Sequence, residues 1–268
     1  ANASPPSVLA EMLTAGVAAQ CMLWQTSPAA TEMETRVLDW VRQAIGLPAG
    51  FSGVIQDSAS SATLAALVAA RERALEGTGN AAGLSTGPAV TVYATAEAHS
   101  SIEKACRIAG IGSAGLRLVA TDEAGGMRAD ALRGRIAADR AAGYRPAAVI
   151  ATLGSTGVGA IDRLADIAAV TRAEALYLHV DAAWAGSALL LDEWRWLIDG
   201  VESADSFVFN PHKWLGVQFD CAAHFVREPG VLTAALGIQP SYLTSRETGS
   251  VIDYRDWSIP LGRRFRAL

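Results

Sequence analysis

From Val90 onward the chain alternates short apolar runs with helical patterns. The runs are VTVYA (90–94), LRLVA (116–120), AAVIA (147–151), LYLHV (176–180) and SFVFN (206–210). Helical periodicity falls between them, near 100–109, 128–142, 162–173 and 192–199. Each run is shorter than a helix and apolar on both sides, so both of its faces need cover. Strands that alternate with helices predict an α/β fold, with a mostly parallel sheet clothed on both faces. A short strand at Gly53–Val54–Ile55 enters an Ala-rich helix from Ala59 to Leu75. CAAHFV (221–226) follows only a loop, which suits an antiparallel addition.

The first 50 residues read as helical. Pro5–Pro6 opens a stretch with Leu9, Met12 and Leu13 on one face, and Thr31-x-x-Glu34 reads as a capping box before a second helix. Gly77 to Pro88 lacks periodicity and is expected to be a surface loop. The 268 residues are expected to form one domain, 1–268, with the helical segment 1–50 included. Ala1 and the ending GRRFRAL suggest an excerpt of a longer protein.

A net charge of −5 argues against nucleic acid or an acidic membrane as partner. No apolar run approaches the roughly 18 residues of a membrane span. Cys21, Cys106 and Cys221 lie far apart without a CxxC pair, so neither a metal site nor a disulfide framework is expected. A reduced, cytoplasmic setting fits this cysteine usage.

In open α/β sheets, ligands bind beyond the carboxyl ends of the strands. The residues following each run therefore matter most. Gln56-Asp57-Ser58-Ala59-Ser60 follows the first strand and enters a helix. Thr95, Glu97 and His99 follow VTVYA, and Thr152 follows AAVIA. Asp181 follows LYLHV, and Pro211, His212 and Lys213 follow SFVFN. Hydroxyls and free N–H groups at a helix start suit a phosphate. Asp181 sits in the apolar string HVDAAWAGSALL and needs a cation. The chain has only two lysines among its 22 basic residues, Lys104 and Lys213. Lys104 falls on a helix behind Ser100-x-x-Glu103, read as a capping box, whereas Lys213 stands at the ligand edge. Phosphate, ring cation and aldehyde are the three handles of pyridoxal 5′-phosphate, which binds a lysine amine as an imine.

Other features read as structural. GIGSAG (110–115) has the GxGxxG spacing but follows a helix and precedes a strand, the reverse of a dinucleotide site. Ser101-x-x-Lys104 lacks the companion motifs of SxxK acyl-transfer enzymes. Asp162 reads as a helix cap, and His179 and His224 as core histidines.

FNPHKW (209–214) with HVDAAWAG (179–186) resembles the group II pyridoxal-phosphate decarboxylases of the aromatic-L-amino-acid decarboxylase family. SPAATEMET (27–35), GVIQDSASSATLAAL (53–67), AEAHSSIEKA (96–105), ATLGSTGVGAID (151–162) and DYRDWSIPLGRRFRAL (253–268) extend the likeness along the chain in order. The resemblance implies the aspartate-aminotransferase-like large domain, with seven strands of which one is antiparallel. It also implies a homodimer with active sites at the subunit interface, and a further C-terminal small domain absent from these residues.

By the same resemblance Lys213 is the imine-forming lysine, and Asp181 pairs with the pyridine nitrogen. Ser58, Ala59 and Ser60 cradle the phosphate, with Asn210 and His212 near it. Ala183 and His99 pack on the two ring faces, Thr152 lies near the ring substituents, and Tyr242 serves as proton donor. Asp57 replaces a common Gly and should turn away from the phosphate, capping the helix. Trp184 replaces a common Tyr with little consequence, and Met22 falls where relatives place an aromatic. The implied activity is decarboxylation of an aromatic L-amino acid to its amine. The alternatives are a non-aromatic substrate, aldehyde formation coupled to decarboxylation, or a non-catalytic dimerisation or sensing module.

Overall fold

The computed structural model describes residues 3–85, 87–238 and 251–268. Two helices come first, α1 (Pro5–Val17) and α2 (Pro28–Ala44). Strand β1 (Ser52–Gln56) leads into α3 (Ala59–Ala74), and a short α4 (Thr78–Ala82) follows. The alternating region supplies β2 (Val90–Ala94), α5 (Ser101–Ile108), β3 (Leu116–Leu118), α6 (Ala129–Ala141), β4 (Arg145–Thr152), α7 (Leu164–Glu174), β5 (Tyr177–Asp181) and β6 (Ser206–Phe209). The one-turn α8 (Pro211–Trp214), β7 (Ala222–Val226) and α9 (Pro229–Leu236) complete it.

The strands form one seven-stranded sheet in the order β1-β7-β6-β5-β4-β2-β3. Strand β7 runs antiparallel to both neighbours, β1 and β6, while the other pairings are parallel. The expected seven-stranded α/β architecture is thus present. Strands β2, β5, β6 and β7 are buried along their whole length, which is why they read as unbroken apolar runs. Helix α3 buries Ala62, Ala65, Ala66, Ala69 and Ala70, small side chains that let it lie close against the sheet. Chain order reverses between β4 and β2, which opens a crevice at their carboxyl ends.

Several local expectations are corrected. Helix α2 starts three residues before Thr31, behind Ser27, so Thr31 and Glu34 form no capping box. Glu34 is instead buried and paired with Arg263 at 2.7 Å, and it accepts the Ile55 N–H at 2.8 Å. Ser100 precedes α5 without a side-chain capping bond, and Glu103 pairs with Arg107. The segment read as a bare loop holds α4, and the run at 192–199 is a 3-10 helix, Asp192–Ile198. Asp162 does not cap α7, which starts behind Arg163. On α1 the apolar face of Leu9, Met12 and Leu13 is exposed. Among the described residues no helix is long and apolar enough to cross a membrane.

Candidate active site

One pocket gathers the carboxyl ends of β4 and β5, the N-terminus of α3, and the turns after β2 and β6. Its lining contains Ser58, Ala59, Ser60, His99, Thr152, Asp181, Ala183, Asn210 and Lys213. These residues span 155 positions of sequence, and the parallel topology alone brings them together.

Helix α3 presents its N-terminus to the pocket. Ser58 is its N-cap, and its Oγ accepts the Ser61 N–H at 3.2 Å. The first-turn N–H groups of Ala59 and Ser60 have no partner within the helix, and the positive end of the helix dipole lies there. Asp57 neither caps the helix nor lines the pocket, and its Oδ1 is buried without a hydrogen-bond partner.

Asp181 ends β5 and is only 5% exposed. Burial raises its pKa. The Ala183 N–H, donated to its Oδ1 at 3.0 Å, and the charge of Lys213 oppose that rise. Lys213 lies in α8, where Pro211 supplies the preset φ of a helix start. Its amine is shifted down by burial, with Asp181 opposing. The two groups therefore lie in one low-dielectric site, each moderating the other.

His99 is oriented by Ser101. The Ser101 N–H donates to His99 Nδ1 at 3.2 Å, and the Ser101 hydroxyl lies 2.8 Å from the same atom. Nδ1 thus accepts, which puts the proton of the neutral ring on Nε2. His212 is not among the lining residues. It is buried, and its Nδ1 accepts the Cys221 N–H at 2.9 Å. Tyr242 lies outside the described residues.

The pocket also contains Ser101, Gly154, Ser155, Thr156 and Trp184, none of which was singled out as a ligand-edge residue. The signal for three of them was the Gly-flanked string after Thr152. Gly154 has φ +80°, and a Cβ there would stand 2.8 Å from Ala185 Cβ. Trp184 meets the ring of Trp214 edge to face.

Two buried acceptors in the lining, Thr152 Oγ1 and Asn210 Oδ1, have no hydrogen-bond partner. Buried polar atoms are rarely left so without a ligand or water to meet them. A phosphate-suited helix end, a buried carboxylate, a lysine shifted toward its neutral form and spare polar atoms match the donor set that pyridoxal phosphate requires. The fold and pocket together define a pyridoxal-phosphate site of the aspartate-aminotransferase-like kind.

Comparison with known proteins agrees. Residues 1–268 match the family described as the pyridoxal-dependent decarboxylase conserved domain. The chain is 44% identical to an aromatic-L-amino-acid decarboxylase of Cavia porcellus, covering 99% of this chain and 58% of that protein. It is 42% identical to a phenylacetaldehyde synthase of Arabidopsis thaliana, covering 100% of this chain and 56% of that one. A crystal structure of Oryza sativa TDC with PLP and tryptamine superposes with a TM-score of 0.95 at 37% identity, covering 100% of this chain and 56% of that one. The chain belongs to the pyridoxal-dependent decarboxylase family. It spans less than two thirds of the length of these relatives.

Proposed function

We propose that this chain is the cofactor-binding part of an enzyme that decarboxylates an aromatic L-amino acid to its amine and CO2. The observation that carries the reading is that the buried Asp181 and the half-buried Lys213 share one pocket beside the N-terminus of α3. Relatives named for aromatic amino-acid decarboxylation support the substrate class.

Bound pyridoxal phosphate supplies an electron sink for the bond broken at the substrate α-carbon. The residues of the chain prepare that chemistry. The N-terminus of α3, with Ser58, Ala59, Ser60 and Asn210, would hold the phosphate. His212, bonded to Cys221, would steady that end of α8. Asp181, a carboxylate kept from water, would hold a proton at the ring nitrogen. The lowered pKa of Lys213 favours the free amine, the form able to bond to an aldehyde carbon. His99 and Ala183 would confine the ring from either face, with Thr152 at its edge. Tyr242 would deliver a proton to the α-carbon.

A cytoplasmic homodimer with interface active sites belongs to the same reading. The exposed Leu9, Met12 and Leu13 of α1 support it, because a second copy would cover that apolar face. The functional test is CO2 and product release by the full-length protein with pyridoxal phosphate. The panel is Trp, Phe, Tyr, Dopa, His and Glu. Amine from an aromatic substrate is the expected result. Aldehyde with peroxide would assign the alternative outcome, and turnover of Glu or His alone would overturn the substrate class.

A further inference from the structure

Asp162 has no role in the reading above, yet it is among the most constrained groups in the chain. It is 3% exposed, and each carboxylate oxygen accepts one backbone N–H. Met127 donates to Oδ1 at 2.6 Å and Thr152 donates to Oδ2 at 2.7 Å. The Asp162 backbone N–H in turn donates to Thr152 O at 2.9 Å. One residue therefore holds both the amide and the carbonyl of Thr152.

The segment between these two residues folds back on itself. Leu153 bridges Ile161, and Gly154 and Ser155 both donate to Ala160 O. Ser155 Oγ accepts the Ala160 N–H at 3.0 Å. The fold-back carries Thr152, Gly154, Ser155 and Thr156 into the pocket lining. The Leu153 N–H donates to Asp181 O at 2.9 Å, tying its base to the residue assigned to the ring nitrogen.

Among the described residues no cation pairs with Asp162. Arg163 pairs with Asp166, and Arg128 pairs with Asp130. The charge that acts on it is Asp122, which repels, and burial pushes its pKa up to about 6. An ionised carboxylate in such a place is costly to the fold, so its stability alone does not account for it. Each carboxylate oxygen meets a different N–H donor, and an amide in the same place would turn its NH2 toward one of them.

We propose that Asp162 is a positioning residue that fixes the wall 152–156 of the pocket against the cofactor. The proposal rests on the functional reading for the identity of the cofactor, but not for the geometry of the wall.

The test measures amide hydrogen exchange in the cofactor-free full-length protein and the Kd for pyridoxal phosphate, in wild type, Asp162→Asn and Asp162→Glu. Asn can accept only one of the two N–H groups. Its exchange at 152–156 should rise tenfold or more while β1 and β7 keep wild-type protection, and its Kd should rise at least tenfold. The Glu variant keeps the charge and should bind the cofactor more tightly than the Asn variant. Unchanged exchange at 152–156 with Kd within twofold of wild type would overturn the proposal. So would a uniform rise across the sheet, which marks a merely structural residue. If the Asn variant does not fold, retained protection of Thr152 in the Glu variant supports the role and lost protection overturns it. A wild-type protein that takes up no pyridoxal phosphate would count against the functional reading, while exchange at 152–156 would still decide the role of Asp162.

Discussion

The rings of Trp184 and Trp214 meet edge to face, with centroids 4.9 Å apart and planes at 84°. Trp184 lies three residues beyond Asp181, and Trp214 directly follows Lys213. The contact therefore ties the strand end that carries the carboxylate to the turn that carries the amine. Such pairs contribute about 0.5–1.5 kcal/mol beyond the area they bury. Trp214→Ala should leave the melting temperature within a few degrees but speed cofactor loss severalfold and alter the visible circular dichroism of the bound cofactor. Trp214→Phe should restore most of both. Unchanged dichroism in the Ala variant would show that the pair does not orient Lys213.

Asp181 is the acid whose removal should matter most to turnover. Asp181→Ala should lower kcat by about a hundredfold or more, the scale expected when a buried group stabilises developing charge. Steady-state kinetics of the reconstituted protein would check this, and a kcat within threefold of wild type would remove Asp181 from its assigned role.

The buried pair of Glu34 and Arg263 joins α2 to the end of the chain across 229 positions. Arg263 also donates to Ile55 O at 2.8 Å and to Cys21 O at 3.2 Å, and it lies over the Tyr254 ring. Removing one partner of a buried pair typically costs about 3–5 kcal/mol. Arg263→Met should destabilise on that scale in denaturant melts. Glu34→Leu combined with Arg263→Met should cost clearly less than the sum of the single changes, because neither charge is then left alone.

Acid sensitivity should trace partly to His224. It is fully buried against His179 without a hydrogen-bond partner, and burial pushes its pKa from 6.5 down to about 3. The unfolded chain takes up this proton below pH 6.5 and the folded chain does not, so stability falls as pH drops from 6.5 toward 3. Asp162 acts with the opposite sign. Its folded pKa of about 6 lies above the usual 3.8, so its contribution grows as pH falls from about 6 to 3.8. His224→Leu should reduce the stability lost between pH 7.5 and 4.5 by about 2–3 kcal/mol. Equal losses in variant and wild type would contradict the assignment.

The sheet was legible because buried parallel strands leave unbroken apolar runs, and VTVYA (90–94) coincides with β2. The carboxyl-edge rule points to Lys213, Asp181, His99 and the start of α3, which line one pocket. Side-chain partnerships across long sequence separations were not legible. Glu34 has the spacing of a capping box and Asp162 the position of a cap, yet each serves backbone amides far from its own helix start. Local spacing reports what a side chain could reach nearby. It carries no record of which distant N–H or guanidinium will arrive. The lining by Ser155 and Thr156 was missed for a related reason, since only the fold-back after β4 turns those residues toward the pocket.

The most direct test of the central claim uses the two lysines. The full-length protein is loaded with pyridoxal phosphate, reduced with borohydride, digested and mapped by mass spectrometry. Lys104 lies exposed on α5, away from the pocket lining, whereas Lys213 lies within it. The account predicts a stable pyridoxyl label on Lys213, little on Lys104, and loss of both label and visible absorption in Lys213→Arg. A label elsewhere, or a Lys213→Arg variant that keeps its absorption, would contradict it.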